Sequence, residues 1–328
     1  MKVKNPIFPM LLTALLLSTV LHAAETGRGG YAGNFLRMGL CARSMAMGGG
    51  SVAVTDDGSV AYYNPGGLVF LEGKWVTASL NTMALDRAVY YVGYAQSLGG
   101  KNPKNDKKGL LKGGLSVGWL SAGVQGIDAR NFNGEDIGTL SFEEHCFYFS
   151  FALNPAPFLA FGFNGKLLYS QFPDLADDGS ALGSTGLGFD IGVIVRPIQS
   201  LRIGVTIRDM HARYTWDSQE IYEKGTQTID HFPQVYRAGI AWYGLNSRLI
   251  LTADIEQVKK CPAVYMAGLE YRVYDGICLR SGLKSGDLTF GGGYRTNVFS
   301  KSTRIDYAYA PDSVAPRGNH IFTWSFIF

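Results

Sequence analysis

The chain has 328 residues, of which 46% are hydrophobic, 13% aromatic and only 17% charged, with 42 glycines and a formal net charge of +3. Removing Lys2 and Lys4, which precede an N-terminal apolar run, leaves a net charge near +1 and no clustered Lys/Arg stripe, which excludes nucleic acid as a partner. After Gly73 no helical periodicity of the kind expected in a soluble enzyme persists.

The first element is a leader. Lys2 and Lys4 stand before an apolar run from about Ile7 to Leu21, and a small-residue site follows at Ala23-Ala24. The run is shorter than the roughly 20 residues a spanning helix needs, so residues 1–23 are expected to be a signal peptide. Residues 24–74 come next, and their centre, Gly39 to Leu68, is rich in small residues. Met45, Met47, Val52, Val54, Val60 and Leu68 require burial, so the stretch is a folded insert and not a linker. It closes on Asn64-Pro65-Gly66-Gly67, where Pro fixes φ and Asn accepts local hydrogen bonds, a turn expected to hold the insert against the first strand. Asp56-Asp57-Gly58 and Asp177-Asp178-Gly179 read as turns, because neither carries the later bidentate Glu of a calcium loop.

Three stretches here carry a family likeness: Arg43 with Met45, Met47, Gly48 and Gly49; Val52-Ala53-Val54-Thr55-Asp56-Asp57; and Tyr63-Asn64-Pro65-Gly66-Gly67-Leu68. Together they resemble the N-terminal signature of the PorV/PorQ family of outer-membrane proteins, within the FadL-like superfamily of barrels for hydrophobic compounds. Ser200 to Val205 after Arg196-Pro197, Phe232 to Ile240, and Arg304 to Tyr309 extend the likeness to the end of the chain. Gly66-Gly67, where the family commonly has Pro-Ala-Gly, and Cys41 depart from it. The resemblance implies an all-β transmembrane antiparallel barrel of about 14 strands over 75–328. It also implies that 24–74 is a plug inside the lumen, with Arg43, Met45, Met47, Gly48, Gly49, Asp56, Asp57, Asn64, Pro65 and Gly66 as its gating motif.

From Lys74 onward the residues alternate with period two between Gly, Pro, Asn and Asp turns. The expected strands are roughly 75–82, 87–96, 110–122, 139–153, 158–170, 186–196, 200–209, 234–243, 247–257, 263–272, 276–284, 287–295, 302–309 and 319–328. Near the end Phe322, Trp324, Phe326 and Phe328 share one face while Thr323 and Ser325 share the other. Tyr169, Tyr214, Tyr243, Tyr271, Tyr294 and Tyr309 at strand ends fit interfacial girdles, which a soluble sandwich lacks. Connections 123–138, 171–185 and 210–233 are long, while 154–157, 196–199, 244–246 and 274–276 are tight, the asymmetry of external loops and periplasmic turns. The segment 97–109, with Lys101, Lys104, Lys107 and Lys108, is the exception.

Strand parity turns Asp190, Arg202, Arg208, Asp254, Glu270, Arg280, Arg295, Arg304 and Asp306 inward, as ion pairs around the plug or as a charge-lined pathway. Asp209, His211, Asp230 and His231 border one long external loop, but spacing fixes no nucleophile beside them, and no enzyme is expected. Cys41, Cys146, Cys261 and Cys278 lack metal-site spacing, and their pairing stays open. No metal or cofactor is expected. Phe132, Phe172, Tyr214, Trp216 and Tyr222 are the candidate ligand contacts on the external loops. The resemblance implies a barrel among outer-membrane lipids that passes a hydrophobic small-molecule ligand. The alternatives are a PorV-like docking or shuttle component for a secreted or secretion-system protein, and a structural barrel that transports nothing.

Overall fold

A computed structural model describes residues 31–99, 112–172, 181–220, 224–259, 261–298, 301–312, 314–315 and 317–328. The expected leader, the four lysines of 97–109, the Asp177-Asp178-Gly179 turn and Tyr222 lie outside the described residues.

The strands are β1 (Lys74–Thr82), β2 (Arg87–Leu98), β3 (Lys112–Arg130), β4 (Asp136–Ala156), β5 (Leu159–Phe172), β6 (Leu182–Ile198) and β7 (Leu201–Met210). A small hairpin follows, β8 (Arg213–Asp217) and β9 (Gln227–His231). Then come β10 (Val235–Gly244), β11 (Leu249–Val258), β12 (Val264–Tyr274), β13 (Ile277–Lys284), β14 (Asp287–Val298), β15 (Lys301–Ala310) and β16 (Asn319–Ile327). All but β8 and β9 close into one antiparallel barrel of fourteen strands, in which β7 pairs with β10 and β16 returns to β1. Each expected strand is present, and all but β3, which runs past the expected 122 to Arg130, end within a few residues of expectation.

Period-two alternation explains the closure. Phe163, Leu187, Ile191, Val205 and Trp324 point outward and are exposed, while their neighbours Asn164, Asp190, Thr206 and Thr323 are buried inside. An apolar band around a closed sheet is stable in lipid and not in water, so these strands span a membrane.

Two of the long external loops are more ordered than expected. β3 and β4 continue past an irregularity between Val124 and Ile127, and Asp128 pairs with Thr139, so 123–138 is mostly a projecting hairpin. Beyond the bilayer both faces of a ribbon meet water, and the apolar alternation that marks a strand disappears. β8 and β9, of five residues each, are too short for alternation to stand out within 210–233.

The insert lies against the inward faces of the barrel. It consists of a 3-10 turn (Asn34–Arg37), the helices α1 (Ala42–Ala46) and α2 (Val60–Tyr63), and a second 3-10 turn (Pro65–Phe70). Gly33 sits against Phe232 at the outer end. At the other end Trp75 Nε1 donates to the Glu72 carbonyl at 2.8 Å, where β1 begins. Inward glycines let the insert's backbone rest directly on the wall. A Cβ on Gly282 would stand 2.1 Å from the Gly48 nitrogen, one on Gly162 2.2 Å from the Pro65 carbonyl carbon, and one on Gly204 2.3 Å from the Val52 oxygen.

Candidate functional site

The insert is held on one side by charge. Arg43, on α1, donates to Glu270 at 2.8 and 2.9 Å and to Asp56 at 3.1 Å. Glu270 is shared with Arg280 at 2.6 Å, and Arg280 reaches Asp306 at 2.8 Å. Arg304 joins Asp306 at 2.7 Å and also pairs with Asp57. Burial alone would raise the Asp57 carboxyl, but the guanidiniums of Arg304 and Arg43 outweigh it and hold the group well below the usual carboxylate range. Burial likewise opposes charge on Arg43, yet Asp56 and Glu270 raise it well above the usual guanidinium value. The Asp254 carboxylate accepts from the backbone N–H groups of Ser51 and Val52 at 2.9 and 3.0 Å and from Arg237 at 2.7 Å.

The remaining inward residues take separate places. Arg208 donates to the Leu36 carbonyl at 3.0 Å and lies over the Tyr62 ring. Arg202 stacks 3.7 Å from the centre of the Tyr243 ring. Arg295 is exposed within the lumen, opposite Arg304 in register. Asp190 pairs at 2.7 Å with Lys166, which is not among the inward charges expected from the sequence. Arg237 is likewise an addition. Parity with Asn164 and Gly239 could have found both.

The Asn64 turn differs from expectation. Its side chain accepts from Gly66 N at 3.0 Å, as the Asn-Pro motif implies, but its amide donates to the Val193 carbonyl of β6 at 3.1 Å. The turn therefore docks on β5 and β6 and not on β1, because Gly162 and Gly192 leave room there.

Opposite the charged side, the interior is apolar. Leu36, Leu40, Tyr62, Tyr63 and Leu68 of the insert form one buried cluster with Val89, Tyr91, Leu120, Tyr148 and Leu168 of β2 to β5. The cluster runs from Phe232 and Tyr214 at the outer end to Leu71 and Trp75 at the inner end. Above it the aromatic rings form a chain. Phe142 and Phe172 are 4.3 Å apart, Phe172 and Trp216 5.7 Å, Trp216 and Tyr214 5.6 Å, and Tyr214 and Phe232 4.9 Å. Phe172, Tyr214 and Trp216 thus come together, joined by Phe142 and Phe232, which are not among the contacts expected from the sequence. Phe132 stands apart, fully exposed at the tip of the β3–β4 hairpin.

The wall is broken beside this aromatic chain. Asp209 and His211 adopt φ of 59° and 58°, and β7 ends between them at Met210. β6 pairs with β7 no further outward than Phe189. Beyond that point Ser184 Oγ contacts both the N–H and the carbonyl of Thr215 at 2.9 Å. Lys166 clamps the bend, lying 2.7 Å from both Asp190 and Asp209. A cavity of about 760 Å³ opens there, with His211 and His231 on its lining. Asp230 accepts from Trp216 Nε1 at 2.9 Å, so neither it nor Asp209 is joined to a histidine by the described hydrogen bonds. The four cysteines are free; Cys41 and Cys146 are buried.

No family model matches the sequence. No curated protein matches it either. Solved structures match over most of the chain. The Ralstonia pickettii toluene transporter TbuX has a TM-score of 0.62 at 16% identity, covering 88% of this chain and 98% of its own. A Pseudomonas aeruginosa FadL homologue has a TM-score of 0.60 at 11% identity, again covering 88% and 98%. The P. putida toluene transporter TodX has a TM-score of 0.58 at 14% identity, covering 87% and 97%. At these identities the likeness establishes a shared fold.

Proposed function

We propose that the protein passes hydrophobic small molecules across the outer membrane, as a FadL-like barrel with residues 33–71 as its plug. The supporting observation is the aromatic chain Phe142–Phe172–Trp216–Tyr214–Phe232, continuous with the apolar half of the interior. Aromatic rings offer large apolar area with little polar demand, which suits a ligand leaving water. The charged half anchors the plug, so the ligand travels along the apolar half, where displacement breaks no ion pair. The fold is shared with proteins described as toluene transporters, which supports the reading. The test is uptake of naphthalene into proteoliposomes. The wild type should exceed protein-free liposomes, and the Phe172→Ala/Trp216→Ala variant should lose about tenfold, from two aromatic contacts together with their buried area. Uptake equal to that of protein-free liposomes would sink the proposal.

A second reading, PorV-like docking of an exported protein, draws on the tight seating of the plug and on the projecting β3–β4 hairpin with Phe132 at its tip. A photo-crosslinking residue placed at 132 should then capture an exported protein in cells. A barrel that takes up naphthalene and yields no adduct would remove this reading.

A further inference from the structure

The cavity at the wall break faces the membrane. Four of its lining residues, Phe147, Leu167, Leu187 and Phe189, belong to the outward faces of β4, β5 and β6. The polar part comes from the bend and the hairpin, and includes His211, Arg213 and His231. Among the described residues no carboxylate lines it. The nearest acids of the hairpin and bend are engaged elsewhere, Asp230 with Trp216 and Asp209 with Lys166. Arg213 and His231 are register partners across β8 and β9, so they project from the same face. The bend at Asp209–His211, held by buried Lys166, sets the Arg213 guanidinium and the two imidazoles beside an apolar surface at the outer end of the strands.

We propose that this crevice binds a net-anionic lipid of the outer leaflet that ends in a phosphate monoester, with its chain along Leu167, Leu187 and Phe189 and its phosphate on Arg213 between His211 and His231. The charge complementarity selects an anion, and the apolar lining selects an acyl chain. Guanidinium–phosphate pairing supplies geometric specificity. The crevice opens to the bilayer, where lipid is far more concentrated than any solute crossing from outside, so mass action favours the lipid as occupant. The site is independent of the aromatic chain invoked for transport, and each can fail without the other.

The test is native mass spectrometry of the full chain in detergent micelles doped with equal amounts of phosphatidic acid and phosphatidylcholine of the same chains. The protein should retain phosphatidic acid in preference, and Arg213→Ala should weaken retention about tenfold, as expected for loss of a charge-assisted hydrogen bond. Leu187→Trp, which fills the apolar part and leaves Arg213 and the two histidines in place, should weaken it too. Heat-modifiable mobility on gels confirms that each variant is folded. Equal retention of the two lipids, or retention unchanged in Arg213→Ala, overturns the proposal. Displacement by glycerol phosphate as effective as by phosphatidic acid would assign the site to free phosphate and overturn the lipid. Preferential retention of added laurate would assign the crevice to a carboxylate cargo, with the same consequence.

Discussion

At the scale of single residues, the interior behaves as two materials. Arg43 is the centre of the charged one, since it touches Asp56 and Glu270 and lies 3.7 Å from Asp57. Truncating one member of a buried network strands its partners, so Arg43→Ala should lower stability by about 3–5 kcal/mol, read from urea unfolding in bilayers. Asp57 gives a pH signature. Its carboxyl is depressed in the folded protein, so its contribution is fully present above the unfolded value of about 3.9 and is lost as pH falls through the lower folded value. The stability gap between wild type and Asp57→Asn should therefore be constant from neutral pH to about 5 and shrink only below about 4. A gap that closed near neutral pH would contradict the pairing with Arg304. Lys166 and Arg237 show the limit of reading charges from the chain: their parity is visible, but Lys166 meets Asp190 and Asp209 on neighbouring strands and Arg237 meets Asp254 and the insert's Gly49 carbonyl, partners that only the closed sheet brings together.

At the scale of elements, the strands were legible because the bilayer enforces alternation on every one of them. The projecting parts of β3 and β4 were not, because water removes the constraint, and the β8–β9 hairpin was not, because strands of five residues are too short for alternation to stand out. Glycine abundance was visible but unexplained. Gly162, Gly192, Gly204 and Gly282 share the inward parity of Asn164, Asp190, Arg202 and Arg280, and their missing side chains are the seats of the insert. Which glycine meets which part of the insert is a matter of tertiary contact and has no local signal. Gly282→Val should unseat α1, because its Cβ would lie 2.1 Å from the Gly48 nitrogen. In a Cys146→Ser/Cys261→Ser/Cys278→Ser background, buried Cys41 should resist maleimide in the parent and react rapidly in Gly282→Val. Equal labelling rates would show that the insert does not depend on that seat.

At the scale of the whole molecule, the outward apolar band fixes the barrel in lipid. Phe163→Arg, in the middle of β5, should destabilise by about 2–4 kcal/mol, as charge at the midplane does, whereas a charge at the strand end should have little effect. Chemical denaturation in defined bilayers separates the two.

The closing seam has a consequence for assembly. β1, which follows the insert directly, pairs with β16, so that Trp75 faces Ile327 and Lys74 exchanges backbone hydrogen bonds with Phe328. The pairing that completes the ring is thus the one of greatest sequence separation, and loop-closure entropy makes it slow. The insert's seats are spread over strands on both sides of that seam, and its backbone touches the wall too closely to be threaded in afterwards. The wall must close around the insert, and the pairing of β1 with β16 is the clasp that shuts it in.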